Sequence, residues 1–480
     1  MTPLNTKTPS ILRIQNSGKQ QNSLNTLIFL NTCLRRYDKV GGALCPVQGS
    51  QMERIWRTER LHTGAKWDSF GAILHVVEML KFPAGALMSH STFRRCRIGA
   101  ATLFATALAA AVAATPAAAL SDLDNYIFVP NRASADVAVI DARTDKVVAK
   151  VQVGLTPHQV AVSGKLGKMV TSNTSDNTIT IVDLKTLQTA ATLTLGAMPE
   201  HIEISPHGDV LAVGNIDAGT VSLVSLKENR ELRRVSGLHE PHNMTFSPNG
   251  KLLYVSNLGA EFVSVVDVAA GKIINEISIG APKAMAAKGS QGEEYQGIIN
   301  VTPTPDGRHG FAAYGEGDAL AVLDLRTQKT LKTISVGDTP WRAYATADGK
   351  FMIVPNNGDK TVSIISTSSL KEVARLKGAA DMTGVNTGAS ESTAMVLSRG
   401  ENKAIVIDLR TLTVAGEIAL PGTPETGVTT LDGKKLYVAL SSSNQVAVID
   451  MEKRTLVGAI GGVGEGPWGA HIAGAGNYCH

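Results

Sequence analysis

Three histidines recur at almost equal intervals in the middle of this sequence. His158, His201 and His242 are separated by 43 and 41 residues, and each lies one or two positions after a proline. Glu200 directly precedes the second of them. Imidazoles and carboxylates are common ligands of zinc, copper and iron, and an imidazole can also be the axial ligand of a porphyrin-like cofactor. If the fold brings these segments side by side, the four side chains predict a metal site.

A second group of residues occupies equivalent positions later in the chain. Trp341 and Arg342 follow one such proline, Trp468 follows another, and His471 lies three residues further on. Indole rings stack on flat molecules, and a guanidinium group pairs with carboxylates. Together with His158, His201 and His242, these residues are candidates for binding a flat anionic cofactor such as a tetrapyrrole.

The same residues also have a structural interpretation. A histidine packed between strands often hydrogen-bonds to the neighbouring backbone, and a buried tryptophan fills volume. Two further histidines, His207 and His309, lie in turns predicted on the opposite face, where solvation is expected. The sequence leaves both interpretations open for the three spaced histidines.

The sequence contains no recognisable catalytic motif. It has no Gly-x-Ser-x-Gly, no phosphate loop ending in Gly-Lys-Ser/Thr and no His-Glu-x-x-His, and its glycine-rich stretches at 315–320 and 461–466 are predicted as turns between strands and not as helix-opening phosphate cradles. It also lacks Cys-x-x-Cys-His, so no covalent c-type haem is expected. A charge relay assembled from distant segments would leave no such motif. Catalytic residues therefore stay unassigned, and a non-enzymatic role is favoured.

The chain from residue 123 to 475 is built from a repeat of about 42 residues. β-rich segments such as KMVTSN and KLLYVSN end at equivalent positions, which are Asn131, Asn173, Asn215, Asn257, Gly315, Asn356, Ser398 and Ser441. One interval is 58 residues instead of 41 to 43, so one unit has about 16 extra residues, at roughly Pro282 to Gln296. This insertion is expected at the same mouth as the histidines and could form a lid.

Each unit contains four short segments with strand-like alternation, separated by turn residues. Pairs such as Asn249-Gly250 and Asp432-Gly433 are typical of tight hairpins that need a positive φ. Aspartates after the second alternating segment are predicted to close Asx turns, and they are Asp141, Asp183, Asp267, Asp324, Asp408 and Asp450. Radial repetition of four-stranded units of this length is typical of a β-propeller.

The two ends of the repeat region favour a closed ring over an open solenoid. The region begins on the second strand of a unit, at Tyr126 to Asn131, and ends on the missing first strand, Gly466 to Ile472. The two ends would complete one blade together. Counting the inner strands gives eight, so we predict an all-β, eight-bladed β-propeller closed by its N- and C-terminal strands, with seven blades as the alternative.

These motifs resemble those of a known family. Tyr254 to Asn257, preceded by EPHNMTFSPNGK and followed by VSVVD, resembles the YVTN repeat of secreted bacterial and archaeal β-propellers. Eight repeats with an export signal are also similar to the haem d1 (cytochrome d1) propeller of dissimilatory nitrite reductases and their maturation proteins. The resemblance implies a propeller that could hold a haem d1-like tetrapyrrole or a transition metal. The sequence lacks the covalent cytochrome c domain of the reductases, which argues against nitrite reduction.

The first 119 residues differ sharply from the repeats. They hold 14 Lys/Arg and 5 Asp/Glu, a charge of +9, which leaves 32 and 37, a charge of −5, in residues 120–480. Arg94, Arg95 and Arg97 precede an uncharged Ala-rich stretch that ends in three alanines at 117–119. This pattern predicts a secretory signal at 88–119, and the Arg-Arg pair leaves the twin-arginine route open beside the general one. The stretch is too short for a membrane span, so none is expected after cleavage.

The predicted domain organisation follows from this signal. Because a signal peptide must begin a chain, residues 1–87 are interpreted as a mis-annotated or disordered extension that precedes a true start at Met88. Residues 120–480 form a single propeller, predicted to be periplasmic or secreted. Its acidic charge gives no electrostatic reason to bind nucleic acid. Cys479 is its sole cysteine, so no intrachain disulfide is expected.

Three functions are compatible with these patterns. The first is a non-catalytic binding module that takes a small ligand or a partner protein at the channel mouth lined by His158, His201 and His242. The second is a haem d1-type or metal-binding protein, redox-active or engaged in cofactor maturation, with one of these histidines as ligand. The third is a lactonase-like hydrolase, because some lactonases resemble this repeat family. Those enzymes have seven blades, so eight units count against the third.

Overall fold

The computed structural model describes residues 120, 122–279, 297–388 and 391–474. The predicted extension at 1–87, the predicted signal at 88–119, the predicted insertion and lid at about 282–296, and Cys479 all lie outside these residues. Within the described part of the chain, no helix is long and apolar enough to cross a membrane.

The described residues form eight antiparallel sheets of four strands each, here called blades. The first three strands belong to blade 8, which closes the ring, and they are β1 (Tyr126–Asn131), β2 (Asp136–Asp141) and β3 (Lys146–Gln152). Blades 1 to 3 follow as β4 (Pro157–Ser163), β5 (Lys168–Asn173), β6 (Thr178–Asp183), β7 (Gln188–Thr194), β8 (Pro199–Ile204), β9 (Val210–Asn215), β10 (Thr220–Ser225), β11 (Arg230–Ser236), β12 (Pro241–Phe246), β13 (Leu252–Asn257), β14 (Phe262–Asp267) and β15 (Lys272–Ser278).

The remaining strands repeat the same order from inner to outer strand. Blades 4 and 5 consist of β16 (Ile298–Pro303), β17 (His309–Tyr314), β18 (Ala319–Asp324), β19 (Lys329–Ser335), β20 (Tyr344–Ala345), β21 (Phe351–Asn356), β22 (Thr361–Ser366) and β23 (Lys371–Lys377). Blades 6 and 7, and the inner strand of blade 8, are β24 (Met382–Thr387), β25 (Thr393–Ser398), β26 (Lys403–Asp408), β27 (Thr413–Ala419), β28 (Pro424–Thr429), β29 (Lys435–Leu440), β30 (Gln445–Asp450), β31 (Thr455–Ile460) and β32 (His471–Ile472). Two short 3-10 helices span Leu123–Asn125 and Gly315–Gly317.

Blade 8 is assembled from both ends of the repeat region. β1 pairs with β32 in an antiparallel register that sets Phe128 opposite His471 and Ile127 opposite Ile472. A further bridge joins Asn131 to Pro467. The predicted eight-bladed ring, closed by its terminal strands, is therefore confirmed, and the seven-bladed alternative is wrong.

The hydrophobic core lies in the seams between adjacent blades. One cluster packs Ile127 of blade 8 against Tyr437 of blade 7, and another packs Phe311 of blade 4 against Met352 of blade 5. All four side chains are fully buried. Several outer strands, such as β3, β15 and β23, alternate instead between half-buried and exposed residues, since only one of their faces meets a neighbour. The alternation of burial matches the alternation of apolar and polar residues from which the sequence predicted strands.

The asparagine that ends the second strand in five of the eight blades ties that strand to the third. Nδ2 of Asn215 donates to Oγ1 of Thr220 at 3.1 Å and to Oγ of Ser222 at 3.0 Å. The side chain is fully buried, so these bonds satisfy a polar group that would otherwise be costly to bury. The repeat signature therefore has a structural cause.

The predicted turn chemistry is also present. Oδ1 of Asp141 accepts a hydrogen bond from the backbone N–H of Arg143 at 2.9 Å, which closes an Asx turn. Gly250 and Gly433 have φ values of 67° and 66°, as the hairpins require. These turns fix where each strand begins and ends. Equivalent residues of neighbouring inner strands therefore lie at the same height along the channel.

Candidate functional site

The predicted metal ligands come together on three consecutive blades. Nε2 of His201 lies 2.8 Å from Nε2 of His242. Oε1 of Glu200 lies 3.5 Å from Nε2 of His201 and 3.2 Å from Nδ1 of His158. We call these four residues the histidine cluster. They lie at the beginning of the inner strands β4, β8 and β12, which is the mouth where the sequence predicted them.

A bulge at the start of the inner strand places two adjacent residues in the cluster. In a regular strand, Glu200 and His201 would point to opposite faces of the sheet. In β8, however, Pro199 pairs with Asn215 and Ile202 with Val213, so the register shifts across the two intervening residues. A bulge of this kind re-aims side chains, and it allows both a carboxylate and an imidazole from one strand to reach the same site.

Burial keeps two imidazoles of the cluster, those of His201 and His242, neutral. His201 is 1% exposed and His242 is 7% exposed. Burial lowers the pKa of each ring to about 3, and for His201 the nearby Arg342 cation adds to the effect. For His242, the proximity of His201 is the next largest cause. At neutral pH both rings are therefore uncharged and keep a lone pair that can bind a metal ion.

The other nitrogen of His242 lies between two competing partners. Its Nδ1 lies 3.0 Å from the carbonyl oxygen of Ile299 and 3.0 Å from Nδ2 of Asn243. The amide nitrogen of Asn243 can only donate, so Nδ1 either accepts from Asn243 or carries the hydrogen and donates to Ile299. In the second tautomer Nε2 is left as the acceptor. Metal-binding histidines commonly donate their second ring N–H to a backbone carbonyl in this way.

His201 has a different environment. Its Nδ1 is buried and has no hydrogen-bond partner among the described residues. This nitrogen can take up the ring hydrogen without breaking another bond, which would free Nε2 for a metal ion. The ligand atoms of Glu200, His201 and His242 all lie within 4.8 Å of one another. Three such donors are the number that catalytic zinc sites use, with a fourth position left open.

Arg342 lies beside the cluster and reaches it from blade 5. It is 2% exposed, and its Nη2 donates to Oδ1 of Asn243 at 3.0 Å. Its guanidinium also lies 5.6 Å from the ring of Tyr344. Arg342, a predicted residue for a flat anionic cofactor, thus contacts Asn243 and Tyr344 in the structure.

The remaining predicted site residues are spread around the ring. Trp468 adjoins the cluster, with its ring centroid 5.9 Å from that of His158 and the Arg132 guanidinium 4.3 Å from its own ring. In the described chain, no hydrogen bond or ring contact joins Trp341 or His471 to the histidine cluster. His471 lines a cavity at the opposite mouth, and burial lowers its pKa to about 4.

Sequence reasoning did not assign a role to three groups at this site. They are the side chain of Asn243, the carbonyl of Ile299 and the carboxyl of Glu203. Burial raises the pKa of Glu203 to about 8, and the Arg342 cation partly opposes this shift. Glu203 lies two residues after His201 on the same strand, so strand alternation could have identified it. The carbonyl carries no signal in the sequence.

A second carboxylate at the level of Glu200 has a structural role. Glu425 in β28 accepts a hydrogen bond from Ser441, and its Oε2 lies 3.5 Å from Nη1 of Arg399. Burial raises its pKa, and these two partners counteract the shift. Glu425 is thus engaged within blades 6 and 7, which leaves Glu200 as the carboxylate that joins the histidines.

Comparison with protein families assigns the fold. A family model described as a YNCE-like beta-propeller matches residues 160–475. The chain belongs to the YNCE-like β-propeller family. The predicted YVTN-type propeller is therefore confirmed. No curated protein matches the chain.

Solved structures similar to this YNCE-like propeller support the same fold. One is "Dihydro-heme d1 dehydrogenase NirN in complex with DHE", with 15% identity and a TM-score of 0.62 over 74% of this chain and 76% of that chain. Another is a functionally unknown protein from Desulfotomaculum acetoxidans DSM 771, with 16% identity and a TM-score of 0.51 over 73% and 99% of the two chains. At these identities the similarity extends to the fold, as the predicted likeness to the haem d1 propeller implied.

Proposed function

We propose that this propeller is a metal-binding module that holds one divalent transition-metal ion between blades 2 and 3. The observation that carries the proposal is the convergence of Glu200, His201 and His242, whose ligand atoms lie within 4.8 Å of one another. In the absence of an ion, the two Nε2 atoms share a hydrogen bond. An ion would take the place of that hydrogen.

The donor set favours zinc or copper. Imidazole suits both ions, and affinity for such donors generally rises towards Cu²⁺ among the divalent first-row metals. His158 would orient the Glu200 carboxylate, because its Nδ1 lies 3.2 Å from Oε1. The fourth coordination position would take water, a small ligand or a donor from a partner protein. This position accounts for the ligand or partner expected at this mouth.

The arrangement supports a tetrapyrrole less well than a single ion. Arg342 is 2% exposed and donates to Asn243, and Trp468 packs against Arg132 and His158. A macrocycle would require these side chains to leave their partners. The relative NirN carries its ligand DHE, so an absorption spectrum of protein from the native host is the direct test. A Soret band that is lost in His242→Ala would show that the site holds a tetrapyrrole and not a single ion.

Metal binding can be tested by calorimetry on metal-free protein. We expect one Zn²⁺ or Cu²⁺ per chain and at least a roughly 100-fold loss of affinity in His242→Ala, because an ion would lose one of three ligands. His207→Ala is the matched control, since His207 is exposed in a turn and should leave the affinity unchanged. Equal affinities for the two variants, or no saturable binding to the unmodified protein, would overturn the proposal.

Export is the second part of the proposal. It rests on the arginine-led, alanine-rich pattern at 88–119 and on the charge of −5 that remains in residues 120–480. Sequencing the N-terminus of protein from the native host tests it, with Leu120 as the expected first residue. A mature start upstream of Met88 would contradict both cleavage and the interpretation of residues 1–87.

A further inference from the structure

We propose a second ligand site, independent of the metal, at the opposite mouth of the propeller. The site would take an uncharged small molecule with an apolar body and a hydrogen-bond donor. Its basis is a cavity of about 510 Å³ where the inner strands of blades 3 to 8 end. The histidine cluster lies where the inner strands begin, so the two sites occupy different mouths.

The walls of the cavity are suited to an apolar body. Phe246, Pro303, Tyr344, Val428 and Ile472 line it, each from a different blade. A cavity of this volume falls within the range of small-molecule sites, which are usually apolar with a few polar groups. Several rigid strand ends converge here, so the shape would be largely formed before a ligand arrives.

The charge of the lining excludes a charged ligand. No Asp, Glu, Lys or Arg lines this cavity in the described part of the chain. Its one titratable imidazole, His471, is neutral at physiological pH, because burial holds its pKa near 4. A carboxylate or an ammonium group would lose its hydration here without gaining a counter-ion, which is strongly unfavourable.

Two lining residues hold acceptor oxygens that lack partners. Oδ1 of Asn386 and Oγ1 of Thr429 have no hydrogen-bond partner among the described residues. The orientation of the Asn386 amide is fixed, because its Nδ2 donates to the carbonyl of Gly427 at 2.9 Å. The blade 6 wall of the cavity therefore holds an unpartnered acceptor just beneath its surface. A ligand that donates one hydrogen bond would satisfy it.

The neighbouring volume differs in charge. A second cavity of about 570 Å³ lies at the same mouth and shares Phe246 and Pro303 with the first. It is lined by Asp124 and Lys165 among others, so the charged lining groups lie outside the first cavity. The first cavity is therefore uncharged, whereas the neighbouring cavity at the same mouth is not.

The probe for the test is N-phenyl-1-naphthylamine, which is neutral at pH 7, carries one N–H donor and fluoresces in apolar surroundings. We expect saturable binding of one probe per chain. Its anionic analogue, 1-anilinonaphthalene-8-sulfonate, differs by a sulfonate and should bind at least about 10-fold more weakly, since the site offers no counter-charge. The N-methyl derivative of the probe lacks the donor and should also bind more weakly.

Variants locate the site. Ala345→Phe and Ala347→Trp narrow the cavity from blade 5, and each should abolish probe binding while circular dichroism stays unchanged. Val148→Phe places an aromatic ring on the exposed outer strand β3 and should leave binding unaltered. Two variants of different exposure keep the test decisive if one of them fails to fold. Binding that survives both cavity variants, or equal binding of the sulfonate, would overturn the proposal whatever the metal titration gives.

Discussion

Nε2 of His201 and Nε2 of His242 lie 2.8 Å apart on neighbouring blades. At that distance one ring must donate and the other must accept, so a single hydrogen occupies the space between two potential metal ligands. Because both rings are neutral, a metal ion can enter only if the donating ring moves its hydrogen to Nδ1. His201 has a vacant Nδ1 for this purpose, since that nitrogen has no partner in the described chain.

Stability of the metal-free protein should fall as the pH is lowered from about 6.5 towards 3. The pKa of His201 and of His242 is depressed to about 3 in the folded state, so the unfolded chain binds more protons in this interval. Each such histidine contributes up to about 1.4 kcal/mol per pH unit. Urea unfolding in a chelating buffer at pH 7, 6, 5 and 4 measures the slope. His242→Gln should reduce the dependence of the unfolding free energy on pH. His207→Gln is the control, and a change of slope in this variant would contradict the assignment of the slope to the buried histidines.

Zinc affinity should depend weakly on pH above about 5.5. Histidines of ordinary pKa would each cost about 10-fold in affinity between pH 7 and 5.5, because they must lose a proton before they bind. The two buried rings are already neutral over this range. Calorimetry at both pH values provides the check, and a decrease of about 100-fold would mean that the ligands are not these two rings.

Removal of a repeat asparagine should destabilise its blade. Asn215→Ala leaves the hydroxyls of Thr220 and Ser222 without their shared donor, at an expected cost of about 1–3 kcal/mol in the free energy of unfolding. Ser236→Ala, at the exposed end of β11, should change that free energy by less than about 0.5 kcal/mol. Chemical unfolding of both variants measures the two free energies. Equal values would mean that the repeat asparagine does not stabilise the blade.

Ring closure should be sensitive to a charge in β32. Ile472→Asp would bury an unpaired carboxylate opposite Ile127, with an expected loss of at least about 3 kcal/mol. Val457→Asp places the same charge on the exposed outer strand β31, where Val457 is 60% exposed, and should be nearly neutral. Similar melting temperatures for the two variants would mean that the β1–β32 pairing contributes little to stability.

The sequence predicted the fold well because each structural requirement recurs in every unit. Asn215 and its equivalents have a fixed bonding role, and Gly250 and Gly433 need a positive φ, so the same residue types return every 42 residues or so. Closure was predictable for a related reason: β1 lacks an inner partner within its own repeat, and Gly466 to Ile472 supplies one.

The candidate site was predictable in its location and less so in its geometry. Spacing placed His201 and His242 on adjacent inner strands, but the bulge that turns both Glu200 and His201 inward has no unambiguous sequence signal. The backbone carbonyl of Ile299 carries none. The cavity at the other mouth depends on how side-chain volumes from six blades combine, which no single repeat specifies.

The pairing of β1 with β32 also sets the order in which the molecule can be made. Phe128 cannot meet His471 until most of the chain has left the ribosome, which takes roughly 17 to 70 s at about 5–20 residues per second. His158, His201 and His242 all lie within an 85-residue stretch near the beginning of this interval. The strands that carry the metal ligands are therefore synthesised long before the ring can close, and an export route that carries only folded proteins would have to wait for the last strand.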